Sequence, residues 1–390
     1  MLKFEKFTGI NNVLPSHRLK NTELTEAENV DIGLSGEISR RGGRTVAHVA
    51  SHKNLHQAEG FMLATVADDL YAIAPNGART LIYDTLSDSP RVWYTNLPDG
   101  RTTFSNGLIN GITDGATRTT WGVPIPASIG AMADIAGGLF PGDYQYGITY
   151  VRTSDSLEGP PAYSNPDPIA DGGVFLSGLP VLAGHTINVY LTGHNGEELM
   201  YAGNTANGVF TFTGTNEMLV MPCRTNFLDV APVGTISSFW RGRALVAKGN
   251  VLYASLQSQW ELFNLRRDFK QFSGDITAVV PVDGGIYVGT TEEFAFLAGV
   301  EFDKLQYKQV VSGAVVLGSG VSVRGELIKR GEGGGLGTAA VVIADGIIVA
   351  GFSDGGVMRL TEGVYRTTAT EVSATFRTLD GIPQYIAVPQ

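Results

Sequence analysis

The sequence predicts an all-β fold, a β-propeller with an inserted fibronectin- or immunoglobulin-like β-sandwich and an extended N-terminal arm, and three observations predict it. Fifty glycines and seventeen prolines lie among many Val, Thr, Tyr and Phe residues; Gly accepts positive φ and Pro ends strands, so this mixture suits short strands and tight turns. Strand-like runs bounded by turn residues recur at roughly the spacing of sandwiches, barrels and propellers. Finally, one style of strand text fills two outer regions, while the region between them reads differently.

Of the 390 residues, 43% are hydrophobic and 17% charged, enough apolar material for a substantial core divided between two domains. Residues 1–45 read as an arm, opening on FTGINN (7–12) and closing on NVDI (29–32) and the basic RRGGR (40–44). Within it, residues 24–29 are expected to form a helical turn, flanked by Asn-rich and Gly-rich turns.

Residues 46–122 form the first part of the propeller. FMLAT (61–65), LYAIA (70–74), the turn Pro75-Asn76-Gly77, TLIYDTL (80–86) and VWYTN (92–96) alternate strand and turn. The run ends at Trp121, where Pro124 and Pro126 break the pattern. Residues 123–233 hold a linker and the sandwich: GDYQYGITYV alternates aromatic and small residues, EGPPAYSNPDP is a Pro-rich loop, and HTINVYLTG supplies another alternating strand.

Residues 234–390 return to the first style and complete the propeller, with a C-terminal tail. Here DGGIYVG (283–289) and DGIIVAG (345–351) echo each other as apolar strand, Asp-Gly turn and apolar strand, a pattern suited to neighbouring antiparallel strands of one blade.

Composition also excludes functions. The net charge of −10 argues against a dedicated DNA binder, whose affinity comes from clustered Lys and Arg. No apolar run has the roughly eighteen residues needed to span a bilayer, and the first ten residues lack the apolar core of a signal peptide, so signal-driven export is not expected. The single cysteine, Cys223, has no disulfide partner and no histidine close in sequence, and it reads as a small buried residue.

His48, His52 and His56 recur at a spacing of four, which on a helix would stack three imidazoles for a metal; the text around them carries no helical apolar stripe, so they read as loop histidines. The glycine run at 331–337 lacks the Gly-Lys-Ser/Thr ending of a phosphate loop and reads as a flexible loop. Asp68-Asp69 and Glu292-Glu293 would need to converge across a sugar to act as glycosidase carboxylates, and adjacent acids in turns are normally solvated. No nucleophile elbow, HExxH, EF-hand loop or nucleotide motif is present. Neither an enzyme nor a cofactor is therefore expected, and no metal.

The basic residues gather in two groups. Arg40, Arg41 and Arg44 lie on the arm, and Arg241, Arg243, Arg266, Arg267 and Lys270 lie in the second propeller segment. Either group could face DNA phosphates or an acidic patch on a neighbouring subunit. For the arm, a subunit contact is the better reading, because extended segments rich in Arg, Asn and Gly gain order by docking on a partner.

GINNVLPSHRL (9–19) followed by AENVDIGLSGEISRRGG (27–43) resembles the opening of bacteriophage virion proteins of the podovirus nozzle or packaged-DNA-stabilisation type. The resemblance continues through YQYGITYVRTSDSLEGPPAYSN, INVYLTG, the segment VLYASLQSQWELFNLRRDFKQFSGDITAVVPVDGGIYVGT, and FAFLAG. It implies a propeller subunit of the virion tail, assembled in the bacterial cytoplasm as a ring, usually a homohexamer. Such a ring sits below the portal and adaptor, contacts other tail proteins and forms a conduit that touches DNA only transiently and non-specifically. Subunits of that family are generally longer than this chain. The alternative from the residues themselves is a tail-tip protein that binds a receptor or carbohydrate through aromatics such as Trp93, Trp121 and Trp260; a glycan depolymerase ranks below it.

Overall fold

A computed structural model describes residues 6–33, 35–43, 49–86, 91–330, 333–379 and 381–390. It is all-β, as the sequence predicts, and its helices are single 3-10 turns such as Ser16–Arg18.

The arm begins with a parallel pair, β1 (Gly9–Ile10) and β2 (Glu23–Leu24), followed by a hairpin of β3 (Val30–Ile32) and β4 (Ile38–Arg40). The helical turn expected at 24–29 does not form. Leu24 pairs with Ile10 and Asn29 takes a left-handed φ of 54° that starts the hairpin, so backbone pairing across the arm overrides local propensity. Nor does the arm extend freely, because Asn12 exchanges hydrogen bonds with the backbone of Val364 and Arg366.

Blade one is the antiparallel sheet β5 (Lys53–Gln57), β6 (Met62–Val66), β7 (Asp69–Ile73) and β8 (Arg79–Tyr83). Blade two is β9 (Trp93–Asn96), β10 (Thr102–Ser105), β11 (Asn110–Thr113) and β12 (Arg118–Thr119).

The insert follows, with β13 (Ala131–Ala136), β14 (Gly142–Tyr144), β15 (Tyr146–Arg152), β16 (Ala162–Tyr163), β17 (Asp167–Ile169), β18 (Gly172–Ser177), β19 (His185–Thr192), β20 (Leu199–Thr205) and β21 (Val209–Phe212). Its two main sheets, in the orders β13-β18-β21 and β16-β15-β19-β20, enclose a core of Tyr144, Tyr146, Ile148, Val174, Val189 and Phe212. The alternating text of YQYGITYV places its aromatics on that inner face.

The chain then returns to the propeller. Blade three is β22 (Ser237–Trp240), β23 (Arg243–Lys248) and β24 (Val251–Leu256), with β25 (Gln259–Phe263) and β26 (Phe269–Gln271) both paired to β24. Blade four is β27 (Ile276–Val282), β28 (Gly285–Thr290), β29 (Glu293–Ala298) and β30 (Gln306–Ser312). Blade five starts with β31 (Val321–Arg324), is interrupted by a small hairpin of β32 (Lys329–Arg330) and β33 (Gly333–Gly334), and continues with β34 (Thr338–Ala344), β35 (Ile347–Phe352) and β36 (Val357–Arg359). A final hairpin joins β37 (Val372–Leu379) to β38 (Ile382–Pro389).

Radial order follows from the cores between sheets. Leu63, Leu70 and Phe104 join blades one and two; Ile112, Trp121, Val246 and Phe263 join two and three. Trp240, Leu252, Ile286 and Phe302 join three and four, and Tyr287, Phe294, Val342 and Val349 join four and five. Val316, Ile343 and Val372 seat the C-terminal hairpin on blade five. Among the described residues no such core joins that hairpin to blade one, so the circle of sheets is open there.

The echoed segments are both hairpins, but they occupy different places. DGGIYVG turns from the first to the second strand of blade four, and DGIIVAG from the second to the third strand of blade five. Only Asp345-Gly346 has two left-handed residues, at φ 49° and 71°, the geometry of a type I′ turn. The glycine run read as a flexible loop is instead tied down in part: Gly334 pairs with Lys329, and the Gly335 amide donates to the carbonyls of Gly325 and Ile328. Residues 331–332 lie outside the described residues.

Candidate functional site

The first strand of each blade and the C-terminal hairpin converge on one cavity of about 440 Å³, in the size range of small-molecule sites. His56, the segment from Trp93 to Asn96, Ser237, Thr277, Ser322 and Thr375 are among its lining residues, and none of the lining residues is a carboxylate, lysine or arginine. A cavity of this volume is far too small to hold a nucleic-acid duplex.

His56 is held firmly there. Its ring stacks on Tyr94 with centroids 5.0 Å apart, and one ring nitrogen meets Asn96 Oδ1 at 2.8 Å. Burial pushes its pKa below the ordinary 6.5, against the opposing pull of Asn96. The sign follows: the folded state binds the proton less readily than the unfolded chain, so stability is complete above pH 6.5 and falls as pH drops through that value toward the lowered folded pKa. Wild-type protein is expected to lose melting temperature between pH 7.5 and 5, and His56→Gln should lose less; equal losses by scanning calorimetry would contradict this.

The helical histidine spacing is not realised, because residues 53–57 form strand β5. His52 bonds the Ala50 carbonyl at 2.8 Å, and His48 lies outside the described residues. Among the described residues no group of three His, Cys, Asp or Glu side chains could hold a metal, and no helix is long and apolar enough to cross a membrane. Asp68-Asp69 and Glu292-Glu293 lie apart, where turns lead into β7 of blade one and β29 of blade four, and Glu293 is buried rather than solvated. Cys223 is buried, and its thiol pKa is raised by that burial.

Most of the second basic group is bonded within the chain, while Arg241, Arg266 and Arg267 remain exposed. Arg243 donates to the Ser255 carbonyl at 2.6 Å and lies 3.6 Å from Asp268, while Arg267 meets Asp268 at 3.0 Å. Arg241 donates to the Asp283 carbonyl at 2.8 Å, tying blade three to blade four, and Lys270 donates to the Asp303 carbonyl at 3.0 Å. Arg266 is exposed and sits over the Phe227 ring. Four of the five thus bind partners within the chain. On the arm, Arg40 and Arg41 are exposed, and Arg44 lies outside the described residues.

Sequence reasoning missed the densest charge cluster. Glu261 is buried on β25, where Arg152 from the insert reaches its Oε2 at 3.0 Å and Arg101 from blade two reaches its Oε1 at 2.7 Å. Asp155 holds Arg152 at 2.6 Å and Asp99 holds Arg101 at 2.8 Å. No spacing signals it, since Arg152 and Glu261 stand 109 residues apart. It anchors the insert against two blades and lines no cavity described here.

Of the aromatics proposed for sugar stacking, Trp121 and Trp260 pack into the protein, while Trp93 lines the axial cavity. Trp121 is buried and donates to the Trp260 carbonyl at 2.9 Å, Trp260 donates to the Gly242 carbonyl at 3.0 Å, and Trp93 is half-buried beneath Arg91, 4.4 Å from its ring centroid.

No family model and no curated protein matches the chain. Among solved structures, it is similar to a streptogramin B lyase at 9% identity and a TM-score of 0.34, covering 88% of this chain and 95% of that one. It is similar to BBS1N in complex with ARL6DN at 11% identity and a TM-score of 0.35, covering 88% and 90%. Virginiamycin B lyase from Staphylococcus aureus follows at 8% and 0.31, covering 83% and 87%. Likenesses this distant transfer no activity, ligand or partner to this chain.

Proposed function

We propose that the chain is a non-enzymatic structural subunit of a bacteriophage tail, forming a ring-shaped nozzle that conducts DNA below the portal and adaptor. The observation that carries this reading is the arm, where the second of the segments resembling nozzle proteins folds into a hairpin whose outer strand β4, with Arg40, and the following Arg41 are exposed. A small uncharged axial cavity agrees with it, since DNA would pass between subunits rather than through one. The acidic balance of the chain would limit the phosphate contacts that retard a moving duplex.

The insert offers a surface for neighbours. Phe140, Met218, Val220 and Met221 are each more than half exposed on it, and exposed apolar residues of this kind mark protein contacts. Carbohydrate binding finds less support, because Trp121 is buried and Trp260 packs against Phe239, which leaves Trp93, in the cavity wall, as the remaining candidate.

Cryo-electron microscopy of the intact particle tests the proposal. The expected result is several copies of this chain in a closed ring around axial DNA density, with the arms between subunits. A distal or peripheral position would reject the conduit and favour receptor binding.

A further inference from the structure

The opening between blade one and the C-terminal hairpin is a built cleft. Blades one to five each have at least four strands, whereas β37 and β38 form a sheet of two. Blade one turns Leu55 and Leu81 toward solvent, and the hairpin does the same with Val388, each more than half exposed. A cavity of about 710 Å³ between β5 and the start of β37 marks the gap, and a second of about 790 Å³ lies on blade one alone, over Leu55, Met62 and Ile73. Arg91 bridges the start of the hairpin from the blade-two side, donating to the Val372 carbonyl at 2.7 Å and lying 3.6 Å from Glu371.

The same chain carries a two-stranded unit that belongs to no blade. Among the described residues strands β3 and β4 pair only with each other, and all three residues of β4 are exposed, Ile38 included. The lengths agree as well. Pro383 and Pro389 near the ends of β38 offer no backbone N–H, which confines an added strand to about the five residues between them, and β3 and β4 are three residues each.

From this fit we infer that the cleft receives the β3–β4 hairpin of a second copy of this chain, which adds two strands to the edge of β38 and completes a four-stranded sixth blade. The exchange protects the open edge from indiscriminate pairing and makes ring formation a consequence of propeller completion. It rests on the ring-forming reading but can fail separately from it.

Two single variants, Ser39→Cys on β4 and Val388→Cys on β38, provide the test when mixed and treated with a short bis-maleimide; Cys223 is buried and serves as the unmodified background. The expected result is a cross-linked dimer from the mixture and none above background from either variant alone. The double variant should cross-link between chains, and a cross-link closed within one chain would show that the arm fills its own cleft and overturn the inference. Light scattering separates the remaining outcomes. A ring without a cross-link rejects strand exchange alone, whereas monomers without a cross-link reject the ring as well.

Discussion

Glu261→Ala is expected to destabilise the protein by about 3 kcal/mol, measured as a lower urea midpoint. The substitution removes the carboxylate shared by Arg152 and Arg101 and leaves the Arg152 guanidinium, only 7% exposed, inside the protein. Breaking a buried pair typically costs about 3–5 kcal/mol because one charge stays desolvated and unpaired. Asp155 still holds Arg152 at 2.6 Å, which places the loss at the low end of that range. Since Glu261 of blade three binds both the insert, through Arg152, and blade two, through Arg101, a separate early transition of the insert should appear in near-ultraviolet circular dichroism. The double replacement Arg152→Met with Glu261→Leu should recover most of the loss, because apolar groups of similar size carry no desolvation cost. An unchanged midpoint in Glu261→Ala would show that the network does not hold the domains together.

Tyr287→Ala should cost as much or more, about 3–5 kcal/mol. Tyr287 is fully buried between blades four and five, stacked on Phe294 at 5.0 Å and Phe296 at 4.5 Å. Its hydroxyl crosses the interface to the Phe352 carbonyl at 2.8 Å, and its ring lies against Gly351 so closely that an added Cβ there would fall 2.4 Å from it. Truncation opens a cavity at the blade contact, whereas Tyr287→Phe removes only the hydrogen bond and should cost about 1 kcal/mol. Thermal unfolding of the two variants checks this ordering, and near-equal losses would mean that the hydroxyl rather than the ring holds the interface.

These two residues differ in how visible they are in sequence. Tyr287 sits in an apolar run beside an Asp-Gly turn, where period-two alternation already places it on a sheet face. Glu261 lies in WELF, where a lone acid reads as solvated until the fold delivers two arginines to it. The second basic group shows the converse. Spacing offers Arg241, Arg243, Arg267 and Lys270 to phosphates or a neighbouring subunit, and it does not show that Asp268 and three backbone carbonyls also bind them, although Arg241 and Arg267 stay exposed. The arm misled for a similar reason: residues 24–29 have the composition of a helical turn, but pairing with Gly9–Ile10 takes Glu23 and Leu24 into a sheet and the rest leads irregularly into the next hairpin.

The sequence by itself determined the all-β class, the strand text of the outer regions and the different character of the insert. Alternation and turn chemistry are local properties written within ten or so residues. Tertiary structure alone decided that the echoed hairpins occupy different places in their blades, that the insert is clamped through Glu261, and that the circle of sheets stays open beside β38. Those outcomes depend on which distant segments meet, and burial and charge pairing between such segments leave no periodic trace along the chain.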